Sequence, residues 1–337
     1  MTHAPRPEAT VSIRLFWPFA RALADDPAGE GLLGNLLPPE FSDPDTRIPH
    51  RTTARLLENV AAKARRPGLG IRAGEQTDPA DFDVVEHVAR AAKTLGDAMR
   101  AMARYVRILH EAAEITIADV HGGLVEWRYR VTDGVRQPPA ANEFCIAAAL
   151  GFSRRNAVEQ EPPMEIGFMH PRPPYAADYE RLCANVKFDC HENVIVVRRE
   201  RLETPLLRAN RPLSGVFGRH AERLLKELEQ RESVSGRVRA EVASQLRNGT
   251  VSMQLAARHL AMSAATLRRR LQDEGTTFSG IVDDLRRHLA EQYLSEPGTA
   301  VSEAAFLLGF ASVTAFARAF RRWRGISPTE FRAARNV

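Results

Sequence analysis

Apolar residues recur every three to four positions in the first and last parts of the chain, and alternate with polar ones in between. From Arg51 to Arg65 the positions Ala54, Leu57, Ala61 and Ala64 fall on one helical face. The stretch Pro67 to Gly70 stops that helix. Phe82 to Ala92 and Thr94 to Ala113 repeat the helical period, the latter with Met99, Met102, Val106 and Leu109 on one side. The period then shortens to two. Residues 114–120 and 123–131 predict a β-hairpin turning at His121, Gly122 and Gly123. Ala140 to Phe152 predicts another helix, and 164–170, 185–189 and 193–199 predict further strands.

Helices followed by a mostly antiparallel sheet predict a mixed α/β domain over 30–204. Residues 1–29 are rich in Pro and Ala and are expected to be loosely ordered. Pro205, Pro212 and Gly215 mark the exit from the domain, and 205–233 reads as a connector helix. Beyond Val234 strand patterning is absent and everything reads as helix. The fold class expected is α+β: a mixed α/β N-terminal domain followed by an all-α C-terminal domain over 234–337.

The C-terminal part contains an imperfect repeat. Ala257, Leu260 and Met262 correspond to Ala305, Leu308 and Phe310 at an offset of 48, and Leu267, Arg269 and Leu271 to Phe316, Arg318 and Phe320 at 49. Gly275 corresponds to Gly325 at 50, which implies one extra residue in each of two turns. In each copy a serine (Ser252 or Ser302) is placed to cap a short helix. A tight turn follows at Ala261-Met262 or Gly309-Phe310, and a second serine (Ser263 or Ser312) is placed to cap a second helix. This is the plan of a helix-turn-helix.

The second helices are two-faced. Phe316, Ala319, Phe320 and Trp323 form an apolar stripe, and Thr314, Arg318, Arg321 and Arg322 lie opposite it. In the first copy Leu267 and Leu271 make the stripe. Ala265, Arg269 and Gln272 point away from it, Thr266 and Arg268 flank them, and Arg270 falls nearer the apolar side. Arginine bonds guanine O6 and N7 in pairs, and glutamine does the same to adenine, so this face suits a DNA major groove.

Charge sharpens that reading. Val234 to Val337 holds 15 arginines, no lysine and 9 acidic residues, a net +6 within a chain of net +5. The basic excess is therefore concentrated in the last third, as on a polyanion-binding surface. No stretch is apolar enough for a membrane span or a secretory signal. Three cysteines in no disulfide spacing fit a reducing cytosol, and a cytoplasmic location is expected.

The segments 255–294 and 301–332 resemble the DNA-binding domain of the AraC/XylS family of bacterial transcription regulators. The resemblance implies helix-turn-helix units at about 252–274 and 302–324, joined by a long helix at about 278–294, reading two successive major grooves of promoter DNA. Carried over by position, Ala265, Arg268 and Arg269 are the base-reading candidates of the first unit, and Val313, Thr314 and Arg318 those of the second. Arg270, Arg321, Arg322 and Arg324 are placed for phosphates. Residues 43–74 and 95–112 resemble the branch of the family with an arabinose-binding-type N-terminal domain. That branch responds to diverse small molecules, so 30–204 is expected to sense an unidentified effector and to dimerise. Activation is the commoner role in the family and implies RNA polymerase as a further partner.

Enzymatic readings find little support in the residues. His110, His121, His170 and His191 show no metal-ligand spacing, and no cofactor or metal is expected. Cys145 lies on an apolar helical face and lacks the neighbours of an alkyltransferase nucleophile. No phosphate loop or nucleophile elbow occurs. A DNA-targeted enzyme and a non-specific architectural binder are the alternatives to a sequence-specific regulator. His170 reads as a turn-forming loop residue, and Trp127, Tyr129 and Met164 as core residues able to shape a cavity.

Overall fold

The computed structural model describes residues 8–24, 29, 43–64, 67–175, 177–247, 251–296 and 299–333. The chain forms two compact units, one over Glu8–Lys226 and one containing Glu227–Val337. The first begins with β1 (Thr10–Ser12), a 3-10 turn and α1 (Trp17–Ala24). Next come β2 (Arg47–Pro49), α2 (His50–Lys63), α3 (Leu69–Glu75), α4 (Asp83–Arg90) and α5 (Leu95–Leu109). The hairpin β3 (Ala113–Val120) and β4 (Leu124–Val131) leads into α6 (Pro139–Asn156). Then follow β5 (Glu165–Gly167), the single turn α7 (Ala177–Glu180), β6 (Val186–Lys187) and β7 (Asn193–Arg198).

Five of these strands make one sheet in the order β3-β4-β7-β5-β6, antiparallel except for the pair β5 and β6. Opposite Ile117 stands Trp127, and opposite Trp127 on the other side stands Ile195. Val125, Trp127 and Tyr129 alternate onto the buried face. There they join Ile146, Ala147 and Leu150 of α6 in one core.

Helix α3 crosses α6 at very short range. A Cβ on Gly70 would lie 2.1 Å from the Ala140 carbonyl oxygen, and one on Gly74 would lie 2.5 Å from the Ala147 Cβ. Glycine is required at both positions by this approach. The Glu143 carboxylate, fully buried in the same crossing, accepts from the Gly70 N–H and from the hydroxyls of Tyr175 and Tyr179.

Two expected boundaries differ from what is found. Residues 10–24 are ordered: Ile13, Phe16, Phe19 and Leu23 are buried in a core with Leu57, Val60 and Phe144. The run VSIRLFWPF supplies enough apolar area to dock, whatever the Pro and Ala around it; residues 1–7 lie outside the described residues. The connector expected at 205–233 is also largely bound. Leu206 is buried with Leu95 and Phe152, and α8 (Arg211–Glu232) is held by Glu222, which takes a bidentate bond from Arg104. Phe217 stacks on His87.

The second unit is all helix: α9 (Val234–Arg247), α10 (Met253–His259), α11 (Ala264–Asp273), α12 (Phe278–Ser295), α13 (Val301–Leu307), α14 (Val313–Arg324) and α15 (Pro328–Ala333). No helix of the described residues is long and apolar enough to cross a membrane.

The replacement Gly74→Ala improves helix propensity by about 1 kcal/mol but wedges α3 away from α6, and overpacking of this kind costs about 1–3 kcal/mol. A lowered urea midpoint with an unchanged m-value is expected.

Candidate nucleic-acid interface

Helices α10 and α11 form the first helix-turn-helix. Ser252 accepts from the Leu255 N–H at 3.4 Å and caps α10. Ala261 then takes a left-handed conformation, φ +52°, and the Met262 N–H bonds the Ala257 carbonyl at 2.8 Å. Ser263 caps α11 through the Thr266 N–H at 3.0 Å, and its hydroxyl also meets that of Thr266 at 2.8 Å. Leu267 and Leu271 are buried against Val238, Val242, Ala257 and Ile281.

Helices α13 and α14 repeat the plan. Gly309 occupies the left-handed position with φ +70°, and the Phe310 N–H bonds the Ala305 carbonyl at 3.0 Å. Ser312 caps α14 through the Ala315 N–H at 3.1 Å. Phe316 and Phe320 are fully buried with Ala304, Leu308 and Phe331, and Trp323 packs against that core. Arg286 of α12 lies over the Phe310 ring at 4.7 Å and fixes the turn from outside. Sequence patterning had not singled out Arg286, because its partner is distant along the chain.

Two details of the repeat differ from expectation. Ser302 is not the cap, since α13 starts two residues earlier than a Ser302 cap would place it, with Ala300 at the cap position; Glu303 instead reaches back to the Ala300 N–H at 3.4 Å. The first of the two extra residues falls in the turn, but the second lengthens the helix: α14 has 12 residues and α11 has 10.

One helix carries both units. The first half of α12 places Ile281 and Val282 in the first core, the second half places Ala290 and Leu294 in the second, and Leu289 packs against both. Its own start is capped by Thr277, which accepts from the Gly280 N–H at 3.1 Å.

The structure leaves Ala265, Arg268, Arg269 and Gln272 exposed on α11, with Thr266 and Arg270 half-buried. Exposed on α14 are Val313, Thr314, Arg318, Arg321, Arg322 and Arg324. The arginines are not equivalent. Arg322 bonds Asp283 of α12 at 2.9 Å, and Arg324 holds Glu291 of α12 through two bonds of 2.8 and 3.0 Å. Arg321 lies close enough to Glu330 to help lower its pKa, after the hydrogen bonds from Ser327. Among the described residues no carboxylate pairs with Arg268, Arg269 or Arg318.

Residues 34–206 match the arabinose-binding domain of AraC transcription regulators, N-terminal, and residues 256–334 match a helix-turn-helix domain. The chain belongs to the AraC family of transcription regulators. It is 29% identical over 331 residues to the ornithine utilization regulator of Pseudomonas aeruginosa, covering 94% of this chain and 95% of that one. It is 28% identical over 282 residues to the regulator VirS of Mycobacterium tuberculosis, covering 83% and 82%. The regulator VqsM of Pseudomonas aeruginosa is 42% identical over 81 residues, 24% of this chain and 25% of that one. This chain is accordingly a DNA-binding transcription regulator, and its AraC-type module holds the two units just described.

The module also contains an acid-sensitive cap. The Glu274 carboxylate accepts from the Val234 and Ser235 N–H groups, each at 2.8 Å, at the start of α9. Burial raises its pKa, the bonds from Ser235 and Val234 lower it, and the net direction is down. Its contribution is thus present above the unfolded-state pKa and lost as pH falls through the folded value. Replacing it, Glu274→Gln, is expected to flatten the decline of the module's melting temperature between about pH 5 and 3. An unchanged pH profile would remove Glu274 from that role.

Proposed function

We propose that this regulator reads promoter DNA by placing α11 and α14 in two successive major grooves on one face of the duplex. The supporting observation is the pair of exposed helix faces whose arginines Arg268, Arg269 and Arg318 have no carboxylate partner among the described residues, mounted on one shared helix. An 18-residue helix such as α12 is about 27 Å long, close to the roughly 34 Å between successive major grooves. Arg268, Arg269 and Gln272 reach base edges from the first unit. Thr314 and Arg318 do so from the second, while Ala265 and Val313 offer apolar contact to a thymine methyl. Arg270 and Arg321 meet phosphates, which position without specifying. Ser263 and Thr266 hold the start of α11, and their hydroxyls lie beside the same backbone. Arg322 and Arg324 anchor α14 to α12, and phosphate contact from them competes with Asp283 and Glu291.

The N-terminal unit binds a small effector and mediates homodimerisation, and the effector acts by favouring one arrangement of the regulator over another. Activation through RNA polymerase, in the cytoplasm and without catalysis, completes the reading.

Arg269→Ala and Arg318→Ala should each weaken binding by about 1–3 kcal/mol, with specificity relaxed at one defined base position per variant. Arg321→Ala should weaken binding to all sequences alike and lower the salt dependence by about one counterion. Titrations of single-base operator variants over a range of salt concentrations separate the two classes. A uniform loss for Arg269→Ala or Arg318→Ala would reject base reading.

A further inference from the structure

Inside the N-terminal unit, α1, α2, α4, α5 and α6 and the hairpin β3–β4 line a cavity of about 140 Å³. That is close to the roughly 150 Å³ of an apolar protein cavity that holds benzene. Phe19, Leu57, Trp127 and Phe144 supply much of its wall. Among the described residues no lysine, arginine or aspartate lines it; besides the Tyr129 hydroxyl and the Cys145 thiol, the polar side chains are His50, Thr53, Glu86, His110 and Gln137.

Three of these five are already engaged. Thr53 donates to the His50 carbonyl at 2.7 Å, and the His50 ring sits between Asp133 at 2.7 Å and the Gln137 amide. The other two are not. Both ring nitrogens of His110 and Oε1 of Glu86 are buried without a hydrogen-bond partner among the described residues. His110 is 7% exposed and Glu86 3%. Leaving such groups unpaired costs about 1–3 kcal/mol each. Burial, helped by the neighbouring His50, brings the His110 pKa down to about 3, and burial pushes Glu86 up to about 7. The free imidazole is therefore neutral, one nitrogen donating and the other accepting, and the carboxyl is protonated in a large part of the molecules at neutral pH.

A wall of this kind discriminates. A sugar brings more hydroxyls than so apolar a wall can satisfy, and a zwitterionic amino acid brings a carboxylate to a wall with no lysine or arginine among the described residues. We propose that this cavity is the effector site and takes a small, uncharged, largely apolar molecule carrying a hydroxyl, in class a phenol or short aliphatic alcohol, bonded by His110 and Glu86. The proposal rests on the N-terminal unit being effector-sensing. It names where the effector binds and of what chemistry it is.

Trp127 reports directly on occupancy. In the full-length Trp17→Phe/Trp323→Phe protein, phenol and 1-hexanol are titrated against Trp127 emission and against melting temperature, alongside L-arabinose, L-ornithine and benzoate. Saturable shifts with phenol or 1-hexanol alone are expected. His110→Leu, which removes the unpartnered nitrogens, should keep or raise the melting temperature of the empty protein and weaken phenol at least tenfold. Glu86→Gln should weaken it as well. Saturation by arabinose, ornithine or benzoate without phenol or hexanol, or full phenol affinity in His110→Leu, would overturn the assignment. Promoter binding measured in the same samples separates the two levels. Phenol bound with the expected mutant losses but no change in promoter affinity would keep the ligand class and overturn the effector reading.

Discussion

The apolar stripe of α12 holds the DNA-binding module together. Ile281 and Val282 close one small core, Ala290 and Leu294 close another, and Leu289 belongs to both. Neither helix-turn-helix is large enough to bury much surface alone. Burying both against one continuous helix solves that problem and sets their separation at the same time. The outward faces of α11 and α14 can then carry arginine, because the inward faces already supply the packing.

Charge is distributed to suit this arrangement. The acidic groups Asp283 and Glu291 lie on α12 and meet Arg322 and Arg324 at the end of α14. Exposed pairs of this kind contribute little stability, about 0–1 kcal/mol, so their effect is mainly orientation. The arginines nearer the starts of the second helices, Arg268, Arg269 and Arg318, have no such partners among the described residues. Side chains in the N-terminal half of a recognition helix are the ones that approach base edges. Within one helix the same residue type thus serves packing order at one end and an outward face at the other.

Much of this was legible in the sequence because it is local. The repeat placed both turns, and the backbone agrees with it closely: Ala261 and Gly309 share a left-handed conformation, as do Gly275 and Gly325. The β-hairpin and the two-faced helices follow from period alone. Features that depend on distant partners were not legible. Ser302 looked like a cap, but the start of α13 is set by packing of Ala304 and Ala305 and by Glu303. Arg322 and Arg324 looked equivalent to Arg321, and only the approach of α12 separates them. Residues 10–24 were hidden behind their prolines and alanines. Trp127 and Tyr129 were rightly placed on the buried face, yet no pattern along the chain could show that Glu86 of α4 and His110, just beyond the end of α5, stand beside the same cavity without partners among the described residues.

Hydroxyl-radical footprinting of the full-length regulator on its promoter tests the account most directly. Two rigidly spaced reading helices predict two protected patches on one face of the duplex, about one helical turn apart, both lost when 5 base pairs are inserted between them. A single patch, or protection unaffected by the insertion, would contradict the shared-helix geometry on which the rest depends.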